Sequence, residues 1–433
     1  MTLQKKNQLN RRQFITRSAA LSAIFIVPRH VLGRGFTAPS DRISLGFIGC
    51  GRQGHTLQGY FLKTEEVQIT GACDVYADKR RHFAAAADEA HAKENGLTGY
   101  KGCTQHADFR ELLDRKDIDA VVIAAPDHWH AALAVRAAEA GKDIYGEKPL
   151  SLTIREGRAM VDAVRKHDRI FQAGSMQRSW PEFRQAVELV RNGYIGKIKT
   201  VKVSVGGPPV PYNLPAETIP DGLDWNFWLG PNAPVAYNSQ LAPVIGADLW
   251  ARWRDFQGLG GGDMTDWGAH MFDIVQWGLD KDDTGPVTIV PPDGKEHPFL
   301  TYYYSDGITV THENFGKPHA VRFIGTEGQL DIQRHKLTTS PETLKDKVIG
   351  PGEHHVYFSD NHYKDFLNSV RKRTRPICDI ETGHRSATVC NLGNIAYALK
   401  RPLKWDPVKE EFHRDKEANR LRWRHMRKEW RVG

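Results

Sequence analysis

Residues 42–61 of this 433-residue chain, RISLGFIGCGRQGHTLQGYF, contain its clearest structural motif. It reads as an apolar strand over 43–48, a glycine-rich turn over 49–54, and the start of a helix. A second strand, VQITGACD, ends at Asp74, twenty residues beyond the turn. A glycine turn alone is weak evidence. A strand, turn, helix and second strand with a terminal acid together predict a doubly wound parallel sheet that binds a dinucleotide.

Each position of the turn has a physical reason for its residue type. Gly49 permits the tight turn, Gly51 lets the backbone approach the pyrophosphate, and Gly54 allows close packing of the helix on the strand. The helix begins near Arg52 and Gln53, so its free N–H groups would face the phosphates. We therefore predict that these five residues bind the cofactor. The alternative is a glycine turn in an α/β protein without a cofactor.

Asp74 indicates which dinucleotide is bound. A carboxylate at this position accepts hydrogen bonds from the adenosine ribose and repels a 2′-phosphate, so NAD is favoured over NADP. Arg80 follows six residues later and weakens this argument, because an arginine nearby accommodates the 2′-phosphate.

Two further apolar runs, IDAVVIAAP (118–126) and GKDIYGEKP (141–149), are typical of parallel strands buried on both faces. Polar clusters follow their ends, and we expect these clusters beside the cofactor because ligands bind beyond the carboxyl ends of such strands. The predicted cofactor contacts are Pro126, His128, His130, Glu147 and Lys148. A turn-forming Asp-His pair and a solvated Glu-Lys pair are the alternatives.

The stretch GGGDMTDWGAHMFD, residues 260–273, predicts a helix that begins near Asp263 after three glycines. Asp266 and His270 would then lie four residues apart on one helix face. Asp263 suits the N-cap position of this helix. The pair is either an acid/base pair or a helix start followed by a buried core histidine.

With these motifs together, the chain resembles the Gfo/Idh/MocA family of NAD(P)-dependent oxidoreductases. The resemblance rests on GFIGCGRQG with Asp74, AAPDHWH, GEKPLSLT, GGGDMTDWGAHMFD and HRSATVCNLGNIAYAL. It implies a Rossmann domain followed by an α/β domain with an open, mostly antiparallel sheet. It also implies a cofactor cleft between the two domains and a homo-oligomer, a dimer or tetramer, formed through the open sheet.

The same resemblance implies roles for individual residues. Lys148 and His270 become catalytic, Asp266 becomes a substrate or proton partner, and Pro126 and His130 contact the nicotinamide side. One departure is Asp127, since many relatives carry Asn there.

Asp266 and His270 are also expected to contact the substrate, and further contacts are expected from three other segments. Gln177 and Arg178 belong to GSMQRSW, which the resemblance places near the substrate mouth. The segments LDWNFWLGP (223–231) and LWARWRDFQ (249–257) are rich in tryptophan and arginine, and we predict substrate contacts from Arg252 and Trp253. Indole rings stack on the apolar faces of sugars, but large aromatic side chains also fill protein cores. A small carbohydrate substrate is the favoured reading.

The N-terminus predicts export. Arg11 and Arg12 precede a short apolar segment near 19–27, as in a twin-arginine signal peptide, which we assign to residues 1–38. A basic, buried N-terminal helix is the alternative. Residues 1–40 hold seven Lys or Arg and no acid, so removing them lowers the net charge from +8 to about +1. The basic pI then gives no support for nucleic-acid binding, and no membrane span is expected in the mature chain.

We divide the remaining chain into a Rossmann domain (39–150), a substrate and oligomerisation domain (151–400) and a C-terminal tail packed on the body (401–433). The five cysteines and the remaining histidines show no metal-ligand spacing. The favoured function is a periplasmic NAD(H)-dependent sugar or glycoside oxidoreductase with a tightly bound cofactor. The alternatives are an NAD-dependent glycosidase or glycoside lyase that oxidises its substrate transiently, and a non-catalytic sugar-binding protein.

Overall fold

The computed structural model describes residues 41–432, and the predicted signal over residues 1–38 lies outside them. The first sheet has six strands: β1 (Ile43–Ile48), β2 (Val67–Cys73), β3 (Thr104–His106), β4 (Ala120–Ile123), β5 (Asp143–Gly146) and β6 (Phe171–Ala173). They are all parallel and follow the order β3-β2-β1-β4-β5-β6. This is the order of a Rossmann sheet, as predicted.

Helices cover both faces of this sheet: α1 (Arg52–Phe61), α2 (Ala77–Asn95), α3 (Phe109–Leu113), α4 (Asp127–Glu139) and α5 (Ile154–Lys166). Because both faces are covered, the central strand β4 is apolar throughout, and all four of its residues are buried. The sheet continues past residue 150, the predicted domain boundary, since β6 pairs with β5 after α5.

The second sheet has nine strands: β7 (Ile198–Ser204), β8 (Thr288–Val290), β9 (Leu300–Tyr303), β10 (Thr309–His312), β11 (Ala320–Gly325), β12 (Gln329–Gln333), β13 (Lys336–Ser340), β14 (Leu403–Asp406) and β15 (Glu411–Phe412). Their order is β13-β12-β11-β7-β10-β9-β8-β14-β15. Only the β7–β10 pair is parallel among the described pairings. The predicted fold class, a Rossmann sheet plus a second, mostly antiparallel sheet, is therefore confirmed.

The remaining helices are α6 (Pro181–Arg191), α7 (Trp225–Leu229), α8 (Asp263–Asp266), α9 (Gly268–Gly278), α10 (His362–Lys372), α11 (Ile380–Leu399) and α12 (Lys416–Arg420). Short 3-10 turns cover Met176–Ser179, Arg252–Asp255, Glu342–Asp346 and Lys428–Trp430. Helices α6, α9 and α11 share one apolar core with the second sheet. None of the helices described here has the length and apolar character needed to cross a membrane.

The chain returns to the Rossmann half after the second sheet is built. Phe366 and Leu367 of α10 join the core that contains β1 and β2. The C-terminal segment adds β14 and β15 to the second sheet, and its last residues then pack on α4, where Trp430 lies 4.9 Å from the ring of Trp129. The two halves are thus tied together by several segments rather than by one linker.

Candidate active site

A cavity of about 590 Å³ lies beyond the carboxyl ends of β1, β2, β4 and β5. Its lining combines the turns after these strands with residues of the second half, the part of the chain that contains the second sheet. These residues include Asp266, His270 and Arg334. This is the edge of a doubly wound sheet at which ligands bind. Cavities of roughly 300–1,000 Å³ are typical of small-molecule sites, so this cavity is the candidate active site.

The glycine turn has the geometry that the sequence predicts. Gly49 has a φ of +98°, and a Cβ there would lie 2.5 Å from the carbonyl oxygen of Ala124. A Cβ at Gly54 would collide with the carbonyl oxygen of Gly49. In contrast, a Cβ at Gly51 would meet nothing within 4 Å, because Gly51 borders the cavity. The turn therefore leaves open space where a pyrophosphate would approach the backbone.

The N-terminus of α1 faces this space. Gly51 is its N-cap, no side chain caps it, and its first turn contains no acid, so the positive end of the helix is not neutralised. Arg52 and Gln53 line the cavity. Gln53 also donates a hydrogen bond of 2.9 Å to Glu147, which connects the glycine turn to the end of β5. The backbone arrangement fits a dinucleotide phosphate.

Asp74 lines the same cavity just after β2. Its carboxylate accepts the backbone N–H groups of Cys50 at 2.8 Å and Tyr76 at 2.9 Å, so it is fixed against the glycine turn. Arg80 donates to the backbone carbonyl of Asp74 at 3.0 Å and does not line the cavity. The position of Arg80 therefore gives little support for binding of the 2′-phosphate of NADP.

Lys148 and Asp266 form an ion pair across the two halves of the molecule. The Lys148 Nζ lies 2.5 Å from Asp266 Oδ1 and 3.0 Å from the Asp266 backbone oxygen. Arg254 approaches the same carboxylate oxygen at 3.5 Å. Burial alone would raise the pKa of Asp266, but the charges of Lys148 and Arg254 outweigh it and hold that pKa below its ordinary value. Asp266 is therefore an anion that orients the lysine.

His270 lies in the same lining and is 3% exposed. Burial, followed by the charges of Lys148 and Arg334, lowers the pKa of His270 well below its ordinary value, so the imidazole is neutral. Its Nε2 is 3.1 Å from an Nη2 of Arg334. Because a guanidinium only donates, Nε2 accepts this bond and Nδ1 carries the proton. That Nδ1 is buried and has no hydrogen-bond partner among the described residues.

The segment that carries Asp266 and His270 differs in detail from the prediction. It forms two short helices, α8 and α9, joined at Trp267, instead of one continuous helix. The N-cap is Gly262, and the Asp263 carboxylate accepts the N–H of Gly206 at 2.8 Å instead of capping its own helix. The prediction that Asp263 is the N-cap is wrong because a tertiary donor takes its carboxylate.

Two buried acids also line the cavity. Burial raises the pKa of Asp127 to about 8, against the lowering effect of Arg254 and Lys148. Burial likewise raises the pKa of Glu147, although the Lys148 charge and the Gln53 hydrogen bond oppose it. Asp127 therefore holds its proton at neutral pH and can donate as well as accept a hydrogen bond.

The structure corrects the predicted cofactor contacts of His128 and His130, which are not part of the cavity lining. The ring nitrogens of His130 lie 2.8 Å from the Pro149 carbonyl and 2.9 Å from the Ala125 carbonyl. The Nε2 of His128 lies 3.0 Å from the carbonyl of Trp228, and burial lowers the pKa of His128 to about 3. Both rings engage backbone carbonyls and so position the loops beside the cavity, whereas the predicted contact Pro126 does line it.

Of the six predicted substrate contacts, Trp253, Asp266 and His270 line the cavity, and the other three do not. Arg178 is 2% exposed and pairs with Asp273 at 2.8 Å and Asp282 at 2.7 Å, so its guanidinium is used inside the fold. Arg252 bonds Asp255 at 2.9 Å outside the lining. Gln177 is buried just behind the lining, 3.5 Å from Arg334. The predictions for Arg178 and Arg252 are corrected accordingly.

Two family models together match most of the chain. Residues 43–175 match the NAD-binding Rossmann fold of the Gfo/Idh/MocA oxidoreductase family, and residues 207–432 match that family's C-terminal alpha/beta domain. The chain belongs to the Gfo/Idh/MocA oxidoreductase family. Its first part therefore has the NAD-binding Rossmann fold of that family.

Similar proteins extend this family assignment. An uncharacterized oxidoreductase of Bacillus subtilis, YrbE, is 32% identical over 172 residues, which are 40% of this chain and 47% of that protein. A glycosyl hydrolase family 109 protein of Shewanella sp. is 30% identical over 186 residues, 42% of this chain and 39% of its own length. The matches thus span less than half the length of these relatives. The aldose–aldose oxidoreductase of Caulobacter crescentus has the same fold, with a TM-score of 0.57 at 17% identity over 84% of this chain and 99% of that one.

Three parts of the cavity lining were not predicted from the sequence: Arg334, Trp267 and the segment 241–248. Trp267 stands inside the motif that supplied Asp266 and His270, so its helical spacing offered a signal. Arg334 and His335 form the two-residue connection between the paired residues Gln333 and Lys336, and no motif marks that hairpin.

Proposed function

We propose that this oxidoreductase oxidises a hydroxyl-bearing carbon of a carbohydrate, with NAD bound at the glycine turn. The observation that carries the proposal is that Lys148 and His270 line one cavity and that Asp266 connects the lysine to the helix pair bearing the histidine. Trp250, Trp253 and Trp267 add indole surface to the same lining, which suits the apolar faces of a sugar ring.

Alcohol oxidation needs a base for the hydroxyl proton and a group that stabilises charge on the oxygen. When bound, NAD accepts the hydride from the substrate carbon. Neutral His270 takes the hydroxyl proton as the C–O bond becomes C=O. The Lys148 ammonium donates a hydrogen bond to that oxygen and stabilises its partial negative charge. Asp266 holds Lys148 in place and keeps its charge local.

The export signal adds a constraint to this proposal. A twin-arginine route carries folded proteins, and no soluble NAD pool is expected in the periplasm. We therefore propose that NAD is loaded before export and is tightly held, and that reduction of a second sugar in the same site re-oxidises the NADH. A homo-oligomer formed through the open sheet is part of the same proposal.

The test is to purify the exported full-length protein, denature it, and identify any released nucleotide by mass. The native sample is then mixed with a panel of sugars and polyols while the absorbance of reduced nicotinamide is followed. We expect released NAD or NADH and a sugar-dependent absorbance change that K148M abolishes, whereas K336M, a change at an exposed lysine outside the cavity, retains it. No nucleotide, together with no response to any sugar, contradicts the proposal.

The relatives named glycosyl hydrolase family 109 favour a second candidate function. In it, oxidation of a ring carbon acidifies the adjacent C–H and the glycosidic bond is eliminated. Water then adds to the new double bond, and the ring carbonyl is reduced again by the NADH. The two candidates share His270 and Lys148 but differ in net reaction. Accumulated keto-sugar supports the oxidoreductase, and cleavage of an aryl glycoside without net NADH supports the glycosidase.

A further inference from the structure

Arg334 is a cation in the cavity that the proposed chemistry does not use. It lies in the hairpin connection between β12 and β13, and its guanidinium carbon lies 4.4 Å from the Trp267 ring centre and 5.5 Å from that of Trp180. The two indoles hold the planar group beside His270. A guanidinium fixed in this way is preorganised for a ligand.

Arg334 is half-buried and has no carboxylate partner among residues 41–432. No Asp or Glu of these residues comes within 4 Å of its nitrogens in an ion pair, whereas Arg178 and Arg158 each pair with two carboxylates. Burial lowers the pKa of Arg334 and the charges of Asp266 and Glu147 oppose this, but Asp266 is already paired with Lys148. Arg334 thus lines the cavity without a counterion in contact among these residues.

Arg334 and two side chains that it contacts each hold a buried donor without an acceptor among residues 41–432. The donors are the Nε–H of Arg334, the Nε2 amide of Gln177 and the Nδ1–H of His270. The Nη2 of Arg334 lies 3.5 Å from Gln177 Oε1 and 3.1 Å from His270 Nε2. Gln177 is 1% exposed and His270 is 3% exposed, so solvent does not easily satisfy them. Because buried donors normally have acceptors, three such donors on adjoining side chains indicate a missing ligand that only accepts hydrogen bonds.

We propose that Arg334 binds a carboxylate of the substrate, and hence that the substrate is an acidic sugar of the uronic or aldonic acid class. This inference rests on the proposed function and names its substrate class. A carboxylate is planar, accepts bonds through both oxygens and matches the guanidinium fork. A phosphate carries a larger charge and a third oxygen in need of donors, so the carboxylate fits this single cation better.

The same contact explains a feature of His270. Its accepting nitrogen, Nε2, is occupied by Arg334 at 3.1 Å and is not free to take a substrate proton. A carboxylate on the guanidinium competes for that N–H and releases Nε2. Arg334 therefore selects the substrate and acts as a positioning residue for the base, so acidic sugars activate His270 as they bind.

The test measures binding and turnover on the full-length, NAD-loaded protein. Calorimetry compares glucuronate, galacturonate and gluconate with glucose and galactose, and with glucose 6-phosphate and galactose 6-phosphate. At least one acidic sugar is expected to bind about tenfold or more tightly than its neutral parent, since bonds to charged groups contribute about 1.5–3 kcal/mol. R334M is expected to remove the preference for acidic sugars, while its affinity for neutral sugars stays within about threefold of the wild type. R334K is expected to restore part of the preference, and K336M is expected to leave the preference intact.

Each other outcome has a distinct meaning. Equal affinity for acidic and neutral sugars in the wild type, with neutral sugars oxidised, overturns this inference and leaves the proposed function standing. Tighter binding of the 6-phosphates than of every carboxylate also overturns it, in favour of a phosphorylated sugar. Failure of every sugar to bind or to change the nicotinamide absorbance overturns the proposed function together with this inference.

Discussion

His270 sets the pH range of the proposed reaction. Burial and the charges of Lys148, Arg334, His319 and His362 lower the pKa of this imidazole well below 6.5, and oxidation requires the unprotonated form. We therefore expect kcat/KM for sugar oxidation to stay constant as pH falls through 6.5. In R334M one of these charges is absent, so the loss of activity on the acid side moves to higher pH. An acid-side loss centred near 6.5 in the wild type, unmoved in R334M, contradicts this explanation.

Asp127 makes folding stability depend on pH. Burial raises the pKa of Asp127 from 3.8 to about 8, so between these values the unfolded chain releases its proton while the folded chain retains it. Its contribution to stability is complete below 3.8 and is lost as the pH rises to about 8. D127N removes the titration but keeps an oxygen for the Gly261 N–H.

As the pH rises from 4 to 8, the free energy of unfolding of D127N is therefore expected to increase relative to that of the wild type. The shift amounts to about 5–6 kcal/mol at most, because one pKa unit corresponds to about 1.4 kcal/mol. Denaturant unfolding of both proteins at several pH values measures it. A difference that does not change with pH contradicts the buried-carboxyl account.

The residues of the cavity could be predicted where a local sequence pattern places them there. They could not be predicted where contacts between distant segments determine their position. Lys148 directly follows a buried strand, and Asp266 and His270 share a short motif, so spacing alone brings them to the cavity. Arg334 lies 64 residues after His270 on a hairpin without a motif, and only the folded sheet brings them together. Arg178 stands in a suitable segment, but Asp273 and Asp282 bind its guanidinium inside the fold.

At the scale of elements, the segment 241–251 covers the cavity from the second half of the chain. Its Trp250 is 42% exposed, and its ring receives the guanidinium of Arg52 at 5.3 Å and that of Arg254 at 4.5 Å. The segment therefore connects the start of α1, where the phosphates would bind, to the residues around Asp266. Such a cover slows the release of a dinucleotide.

W250A is expected to raise the NADH dissociation rate about 5- to 30-fold, because two cation–π contacts of about 0.5–1 kcal/mol each are lost. Stopped-flow displacement of NADH, followed by nicotinamide fluorescence, measures the rate. F358A is the matched control, since it removes an exposed contact of an aromatic ring with Arg184 outside the cavity. Equal NADH release from W250A and F358A contradicts a covering role.

The strands with apolar sequences could be predicted, but the short strands at the two edges of the first sheet could not. β1, β2, β4 and β5 fall within the predicted apolar runs because parallel strands buried on both faces carry a continuous hydrophobic signal. β3 and β6 have three residues each and owe their pairing to the sheet that already exists beside them. The single helix predicted near Asp263 divides at Trp267, whose ring stacks on that of His319 at 3.7 Å and contacts Arg334 at 4.4 Å.

In the molecule as a whole, the C-terminal segment is held against the Rossmann half of the chain. Arg424 bonds Glu156 at 2.7 Å and the His128 carbonyl at 2.8 Å, which ties the tail to α5 and α4. Glu156 is 1% exposed, so removing its partner leaves a buried carboxylate unpaired. We expect R424M to lower the free energy of unfolding by about 3–5 kcal/mol.

Chemical denaturation of the full-length protein measures this loss. R420M, a change at an exposed arginine of the same segment, is the control and should alter stability by less than about 0.5 kcal/mol. Similar effects of R424M and R420M are inconsistent with a structural role for the tail.

The central claim is that one residue from each half, Lys148 and His270, acts on the same hydroxyl beside the nicotinamide. A double-mutant cycle on the single-turnover rate of nicotinamide reduction, with the best sugar of the panel, tests it most directly. We predict that K148M and H270Q each lower the rate by about 10²- to 10⁴-fold, and that the double variant is within about tenfold of the slower single variant, because residues acting as one unit are not additive. A double-variant loss equal to the product of the two single losses would show that the two residues act independently, and would contradict the claim.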